Sequence, residues 1–259
     1  LQLHQPVPHE KQAPLSRTTV RPKKTKEMPV QEEAGIKFRV QFEKTGYARF
    51  LSHLDLVRIF ERACRRAQIP LQYSQGFNPH PKLSFGQPLA LGYTSQAEYM
   101  DVELKPSFRG DLIGQLNPFL PEGIRLLKMK PIRTKTDSLA SVINVSEYLV
   151  DLKSLPLTSA EFERALNELL TAGQIEVRRQ VKGRQRTINI RPFIQEIHRE
   201  SDRLRLKTRT IENRTVRVGE IMSYLLRQQL TDERGLQVHR YGQFIRRGDR
   251  EMTPFDVLP

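Results

Sequence analysis

The sequence of 259 residues has little of what several functional classes require. Its single cysteine, Cys64, excludes an internal disulfide framework, a four-thiolate zinc site and an iron–sulfur cluster held by protein thiolates alone. No run approaches roughly 18 consecutive apolar residues, so we expect no membrane-spanning segment and no membrane partner. The chain does not open with a charged and then apolar stretch, which argues against export and favours a cytoplasmic protein.

Motifs of nucleotide-binding and hydrolytic enzymes are also missing. The sequence has no G-x-x-x-x-G-K-[ST] loop, no G-x-G-x-x-G turn and no G-x-S-x-G elbow. Histidines are scattered without ligand spacing, namely His4, His9, His198 and His239. The sequence therefore predicts no metal and no cofactor in this chain and reveals no catalytic motif.

Positive charge is what the sequence has in excess. Lys and Arg number 43 against 29 Asp and Glu, which gives a net charge of +14. A surplus of this size favours polyanionic partners, because cations that neutralise phosphates release condensed counterions. We therefore expect contact with nucleic acid, although some basic proteins bind none.

Hydrophobic patterning divides the chain into a tail and two halves. Residues 1–34 are rich in Pro and Lys and have little apolar periodicity, which predicts a disordered linker or tail. In residues 35–135, alternating strands and amphipathic helices follow the order β-α-β-β-α-β, and residues 143–250 repeat this order with an extra strand. The sequence thus predicts an α+β fold of two tandem ferredoxin-like modules with antiparallel sheets.

The densest positive charge falls between Gln174 and Arg217, where thirteen basic residues stand against five acidic ones. From Arg203 to Arg209 the basic residues recur at every second position, so a strand would align them on one face. Guanidinium groups in a row suit a phosphate backbone, although a solvated sheet face has the same pattern. The predicted nucleic-acid-binding residues are Arg178, Arg179, Lys182, Arg184, Arg186, Arg203, Arg205, Lys207 and Arg209.

A loop rich in Gly and Pro, residues 73–86, is the most unusual segment of the sequence. Its prolines restrict the backbone, so the loop presents side chains at low entropic cost. In one interpretation the aromatic rings stack on bases while His80 and Lys82 meet phosphate; in the other the rings fill the core. The candidate loop residues are Gly76, Phe77, Asn78, His80, Lys82 and Phe85.

His53 lies at the predicted start of the first helix, where free N–H groups and the helix dipole favour an anion. A histidine there can hold phosphate or act as a general acid or base, but it more often makes a local hydrogen bond. No second histidine or carboxylate is placed by spacing to complete a catalytic set. His53 and His80 are therefore the candidates in a hypothesis of a metal-independent ribonuclease.

Several blocks of the sequence resemble the radical-SAM-linked bacterial domain of unknown function. The blocks are Lys37–Val40, Gly46–Asp55, Gln75–Phe85, Pro88–Gly92 and Gln185–Ile194, within a resemblance that covers about residues 36–230. The resemblance implies a domain that stands alone beside a radical SAM protein or is fused to its C-terminus. A start at Leu1 and a Pro/Lys-rich leader are expected for the tail of such a fused enzyme.

The resemblance also implies where the chemistry lies. Radical SAM chemistry needs a C-x-x-x-C-x-x-C motif, which this chain lacks, so the iron–sulfur cluster and S-adenosylmethionine are expected only in the associated radical SAM domain. The expected partners are that domain and RNA, either tRNA or rRNA, which this chain would present to the enzyme. The alternatives are the ribonuclease and a protein-docking scaffold without nucleic-acid binding. CRISPR repeat-processing endoribonucleases share the paired-module architecture, but this chain lacks their Gly-rich C-terminal loop.

Overall fold

The structure, a computed structural model, describes residues 35–258 except 154, 156–157, 182, 228–229 and 231–234. The predicted tail over residues 1–34 and the predicted binding residue Lys182 lie outside the described residues. No helix in the described part of the chain is long and apolar enough to cross a bilayer.

Strands and helices mix along the whole described chain, which confirms the α+β class. The strands are β1 (Ile36–Lys44), β2 (Leu83–Phe85), β3 (Thr94–Leu104), β4 (Ile124–Ile132), β5 (Val145–Asp151), β6 (Glu176–Val181), β7 (Arg184–Asn189), β8 (Ile194–Glu200), β9 (Arg203–Arg209), β10 (Val238–Arg247) and β11 (Arg250–Met252). The helices are α1 (His53–Arg66), α2 (Leu112–Leu116), α3 (Leu139–Val142), α4 (Ser159–Thr171) and α5 (Val218–Leu225).

One continuous sheet runs through both halves of the sequence. Its strand order is β4-β1-β3-β10-β5-β9-β8, with β2 paired to β3 and β11 paired to β10, while β6 and β7 form a separate hairpin. The strands pair antiparallel except where β10 meets β3 at His239 and Arg240. Without the hairpin and the short strand β11, each half places its four described strands in the order fourth, first, third, second.

The helices α1, α2, α4 and α5 cover one face of the sheet because their apolar stripes match the inward-facing strand residues. In α1, Ser52 and Asp55 form a reciprocal capping box, and Leu56, Phe60 and Cys64 are buried against β1 and β3. Burial raises the pKa of the Cys64 thiol to about 12, as expected for a cysteine that packs as a small hydrophobe. In the second half, α4 and α5 cover β5, β9 and β10 in the same way.

Two buried ion pairs connect strands of the sheet, and one of them also holds the C-terminal segment. Arg39 donates to Asp101 at 2.8 Å and to the carbonyl of Pro254 at 2.8 Å, which ties the C-terminal segment to the face opposite the helices. Arg240 on β10 donates to Glu98 on β3 at 2.6 Å and so joins the two halves. Breaking either pair would leave an uncompensated buried charge.

Candidate nucleic-acid interface

The basic strand β9 has the alternation that its sequence predicts. Leu204, Leu206 and Thr208 are buried, while the four intervening basic side chains are exposed or half-buried on the other face. That face is the one not covered by α4 and α5, so the row reaches the surface.

Carboxylates on both neighbouring strands face this row, which the sequence analysis did not foresee. Lys207 pairs across from Glu147 on β5 and Glu196 on β8. Its Nζ lies 3.3 Å from Glu147, 3.8 Å from Glu196 and 2.7 Å from Glu251 on β11. Burial opposes the charge of Lys207, but hydrogen bonds and attraction from Glu251 and Glu147 outweigh it and raise its pKa.

The next basic side chains of the row are also engaged. Arg205 Nε lies 2.7 Å from Glu200 on β8, and its guanidinium lies over the Tyr241 ring at 5.4 Å from the centroid. Hydrogen bonding to Arg205 lowers the pKa of the Glu200 carboxyl. Arg209 donates to the carbonyl of Pro192 at 2.7 Å. Acidic residues on the adjacent strands thus neutralise Arg205 and Lys207, and nucleic-acid binding by these two residues stays a prediction.

The hairpin β6–β7 presents its arginines differently. Arg178, Arg184 and Arg186 are exposed and have no ion-pair partner within the described residues. Arg179 instead donates to both carboxylate oxygens of Glu220 on α5, at 2.7 and 2.6 Å, and to a backbone carbonyl.

The register of the hairpin sharpens this difference. Arg179 stands directly opposite Arg186, a like-charge pair that is unfavourable across strands. Glu220 relieves that repulsion on the side of Arg179 only. Val177 and Ile188 pack against the core of the second half and hold the hairpin in place.

The two phenylalanines of the Gly- and Pro-rich loop differ in burial, and each fits one of the two predicted roles, base stacking or core packing. Phe77 is fully exposed, whereas the ring of Phe85 lies against Phe42, Phe60 and His53 in the core. Gly76 has a φ of +133°, a conformation that other residues avoid, so it sets the turn before Phe77. One of the two rings is thus free for a ligand, and the other has the structural role.

The polar residues of the loop are only partly free. Lys82 pairs with Glu103 at 3.0 Å, which lessens its value for phosphate. Asn78 and His80 are exposed, and the backbone N–H of His80 donates to Ser74 at 2.9 Å. The loop therefore offers Asn78 and His80 to solvent, beside the ring of Phe77.

Neither candidate catalytic histidine has a catalytic neighbourhood. His53 is the first residue of α1, exposed, with its ring edge-on to Phe85 at 5.2 Å between centroids. Within the described residues, no carboxylate or second imidazole lies within ion-pair or hydrogen-bonding distance of the ring of His53 or His80. The described side chains also contain no group of three or more His, Cys, Asp or Glu residues that could hold a metal ion.

A cleft that the sequence analysis missed lies where β10 joins β3. It has a volume of about 350 Å³ and combines side chains from both halves of the chain. Its polar side chains come from five segments far apart in the sequence: Arg49, Thr94, Asp151, Arg203, and Gln237 with His239. The parallel pairing of β3 and β10 brings Thr94 beside His239, the pairing of β5 and β9 brings Asp151 beside Arg203, and no local pattern signals the parallel pairing.

The fold and these surfaces define a basic α+β domain with exposed arginines and no membrane-spanning helix among its described residues. The chain belongs to the family described as "Uncharacterized protein conserved in bacteria (DUF2344)", whose model matches residues 37–224. This membership confirms the expected bacterial domain of unknown function, whereas the radical SAM linkage stays a prediction.

Comparisons with other proteins add little. No curated protein matches the chain. One similar solved structure is the "Crystal Structure of a Cbf5-Nop10-Gar1 Complex", with 12% sequence identity and a TM-score of 0.40. The match covers 80% of this chain and 48% of that one, so this chain spans about half the length of the matched chain.

Proposed function

We propose that this chain is an accessory module that binds RNA and presents it to a radical SAM enzyme, which holds the cluster and S-adenosylmethionine. The observation that carries the proposal is that three arginines of the β6–β7 hairpin, Arg178 on one face and Arg184 and Arg186 on the other, are exposed and have no ion pair among the described residues. Guanidinium groups bind phosphate through two parallel hydrogen bonds. A phosphate bound by Arg184 and Arg186, which lie on the same face of β7, would also relieve the repulsion between Arg186 and Arg179.

Exposed aromatic rings favour RNA with unpaired bases over duplex DNA. Phe77 and Tyr47 are almost completely exposed to solvent. Proteins that bind single-stranded RNA stack its bases on such rings and hold its backbone with basic side chains. The chain therefore offers both kinds of contact, basic side chains on the hairpin and exposed rings at Phe77 and Tyr47.

The radical SAM partner rests on the sequence resemblance, and a second surface supports a protein contact. Tyr47, Phe50, Leu54 and Leu91 are exposed, and the N–H of Gly92 donates to the carbonyl of Arg49, which brings Leu91 to this region. An apolar surface of this kind favours a protein partner. We propose that the radical SAM protein docks there. The equal strand order in the two halves supports two ferredoxin-like modules as the scaffold of both surfaces.

RNA binding is tested by fluorescence polarisation with a structured RNA over a salt series. We expect Arg178→Gln, Arg184→Gln and Arg186→Gln together to weaken binding about tenfold, and the slope of log K against log salt to fall by about two. A matched control removes three exposed basic residues of the other half, as Lys105→Gln, Arg125→Gln and Arg133→Gln. Equal losses in both variants, or binding that does not respond to salt, would refute the hairpin as the RNA contact.

Partner docking is tested by co-purification with the radical SAM protein after nuclease treatment. We expect Leu54→Ser with Leu91→Ser to abolish co-purification and to leave RNA binding unchanged. Co-purification of the unaltered chain without any RNA affinity would instead support a docking scaffold. If the unaltered chain does not co-purify with the radical SAM protein, the proposed partner is wrong.

A further inference from the structure

The cleft between the two halves is lined by charged side chains that the packing of the sheet does not account for. Two guanidinium groups line it, Arg49 from the short 3₁₀ helix at residues 46–50 and Arg203 from the start of β9. Neither has a carboxylate within 4 Å in the described part of the chain. Arg203 is the one basic residue of the β9 row with no ion pair or hydrogen bond to another described residue, although it stands opposite Asp151 and Glu200.

The remaining side chains of the cleft are neutral or negative. Nδ1 of His239 lies 2.9 Å from the hydroxyl of Thr94, which also lies 3.3 Å from the carbonyl of Val238. Burial lowers the pKa of His239, against an opposing attraction from Glu43, so the imidazole is uncharged at neutral pH. Asp151 supplies one carboxylate, and Leu149, on the same face of β5, supplies apolar surface.

These groups suit a ligand with three distinct parts. Two arginines match a phosphate, which guanidinium groups bind through paired hydrogen bonds. A carboxylate matches hydroxyl or amino donors, and Leu149 with the imidazole matches a flat ring. A nucleotide has all three parts, and a cavity of about 350 Å³ is within the range of small-ligand sites.

The framework of the cleft is rigid, so little ordering cost opposes binding. The strands β3 and β10 that form one wall are joined by Arg240 and Glu98, both buried. Asp151 is held by the N–H of Lys153 at 2.9 Å, which fixes the carboxylate at the end of β5. Sites formed by such fixed groups lose less entropy on binding than sites formed by free side chains.

We propose that this cleft binds one nucleoside 5′-monophosphate unit, with the phosphate between Arg49 and Arg203 and the base or ribose against Leu149 and Asp151. This site is separate from the hairpin and does not depend on the hairpin binding RNA. Its ligand is a free nucleotide or an unpaired nucleotide of an RNA strand, two sources that share the same chemistry.

Isothermal titration of the full chain with AMP, GMP, CMP and UMP, with the matching nucleosides and with inorganic phosphate tests the proposal. We expect at least one nucleotide to bind at one site per chain, and its nucleoside and inorganic phosphate to bind about tenfold more weakly or worse. Equal affinity for inorganic phosphate would overturn the recognition of a nucleotide. No saturable binding of any of the four nucleotides would overturn the site altogether.

Substitutions locate the ligand within the cleft. Arg203→Gln and Arg49→Gln should each weaken nucleotide binding about tenfold, whereas Arg178→Gln, which removes an arginine outside the cleft that is exposed like Arg203, should not. Asp151→Asn should weaken the nucleotide and leave inorganic phosphate unchanged. Unchanged nucleotide affinity in both Arg203→Gln and Arg49→Gln would refute the assignment, and circular dichroism checks that each variant is folded.

An RNA competition separates this proposal from the RNA-binding function. If an unstructured oligouridylate displaces the bound nucleotide, the natural ligand is a nucleotide of the strand; if it does not, the ligand is a free nucleotide, and either result supports the cleft. The hairpin triple variant should bind nucleotide normally. If the hairpin variant binds RNA normally and the chain binds nucleotide, only the proposed RNA contact of the hairpin is refuted. If the hairpin variant loses RNA binding and the chain binds no nucleotide, only the cleft proposal is refuted.

Discussion

Strand β9 and the β6–β7 hairpin are both dense in basic residues but present their arginines in opposite ways. β9 lies between β5 and β8, so each of its basic side chains has neighbours on two strands, and Glu147, Glu196 and Glu200 occupy these positions. The hairpin has two strands with no third strand beside them in the described part of the chain, and its register places Arg179 opposite Arg186. The difference lies in the sheet position and not in the composition of the segments.

This comparison shows which basic side chains are neutralised by neighbouring carboxylates and which remain available to bind an anion. In a central strand, cross-strand carboxylates convert the row into a ladder of ion pairs, which has little attraction left for an external anion. In the hairpin, Glu220 neutralises one arginine and the others remain available. Density of basic residues in the sequence therefore identifies two surfaces, of which we expect only one to bind phosphate strongly.

The largest effect in this comparison should come from the one hairpin arginine that is neutralised. Arg179→Met leaves Glu220 without its partner in a half-buried site, and we expect the free energy of unfolding to fall by about 2 to 3 kcal/mol. Its neighbour Arg178→Met, which is exposed, should change it by less than about 0.5 kcal/mol. Urea denaturation measures the free energy of unfolding of both variants. Equal losses would show that the half-buried ion pair of Arg179 with Glu220 adds no stability.

A smaller loss of stability is expected in the ladder. Lys207→Met removes the cation between Glu147 and Glu251 and should lower the free energy of unfolding by about 1 to 2 kcal/mol. The folded-state pKa of Lys207 is raised, so its contribution is complete below the usual lysine pKa and is lost only as the pH rises through the folded value. Urea denaturation should therefore give the same difference from about pH 6 to pH 9, and a difference that disappears in that window would contradict the pairing.

Local elements were predictable because their signals are local. The capping box of Ser52 and Asp55 marks the start of α1, and the alternation in β1 and β9 gives the faces of these strands. Each of these signals needs only neighbours within a few residues. The α+β class follows from such elements.

Long-range pairing was not predictable in the same way. Neutralisation of Lys207 depends on the register of three other strands, and Glu251 is 44 positions away in the sequence. The cleft depends on the parallel contact between β3 and β10, which joins Thr94 to His239. Periodicity in one segment holds no information on which segment lies beside it. The neutralisation of Lys207 and the existence of the cleft could therefore be found only from the structure.

Removal of the ladder carboxylates should make β9 resemble the hairpin. We expect Glu147→Gln, Glu196→Gln and Glu200→Gln together to raise RNA affinity about threefold or more, because they release Arg205 for phosphate and leave Lys207 with Glu251 alone. The control is Glu122→Gln, Asp137→Asn and Asp249→Asn, three exposed acidic residues without an ion pair in the described residues. Equal gains in both variants would mean that net charge alone governs binding.

The smallest effect tests whether direct contact or overall field distinguishes the two surfaces. Arg178→Gln and Arg205→Gln each remove one positive charge, so long-range attraction for RNA falls equally in both. Only Arg178 is free to touch a phosphate, because Arg205 is paired with Glu200. We therefore expect about a threefold loss of affinity for Arg178→Gln and less than about twofold for Arg205→Gln, measured by polarisation at fixed salt. A larger loss for Arg205→Gln would mean that RNA displaces Glu200 and that the ladder opens on binding.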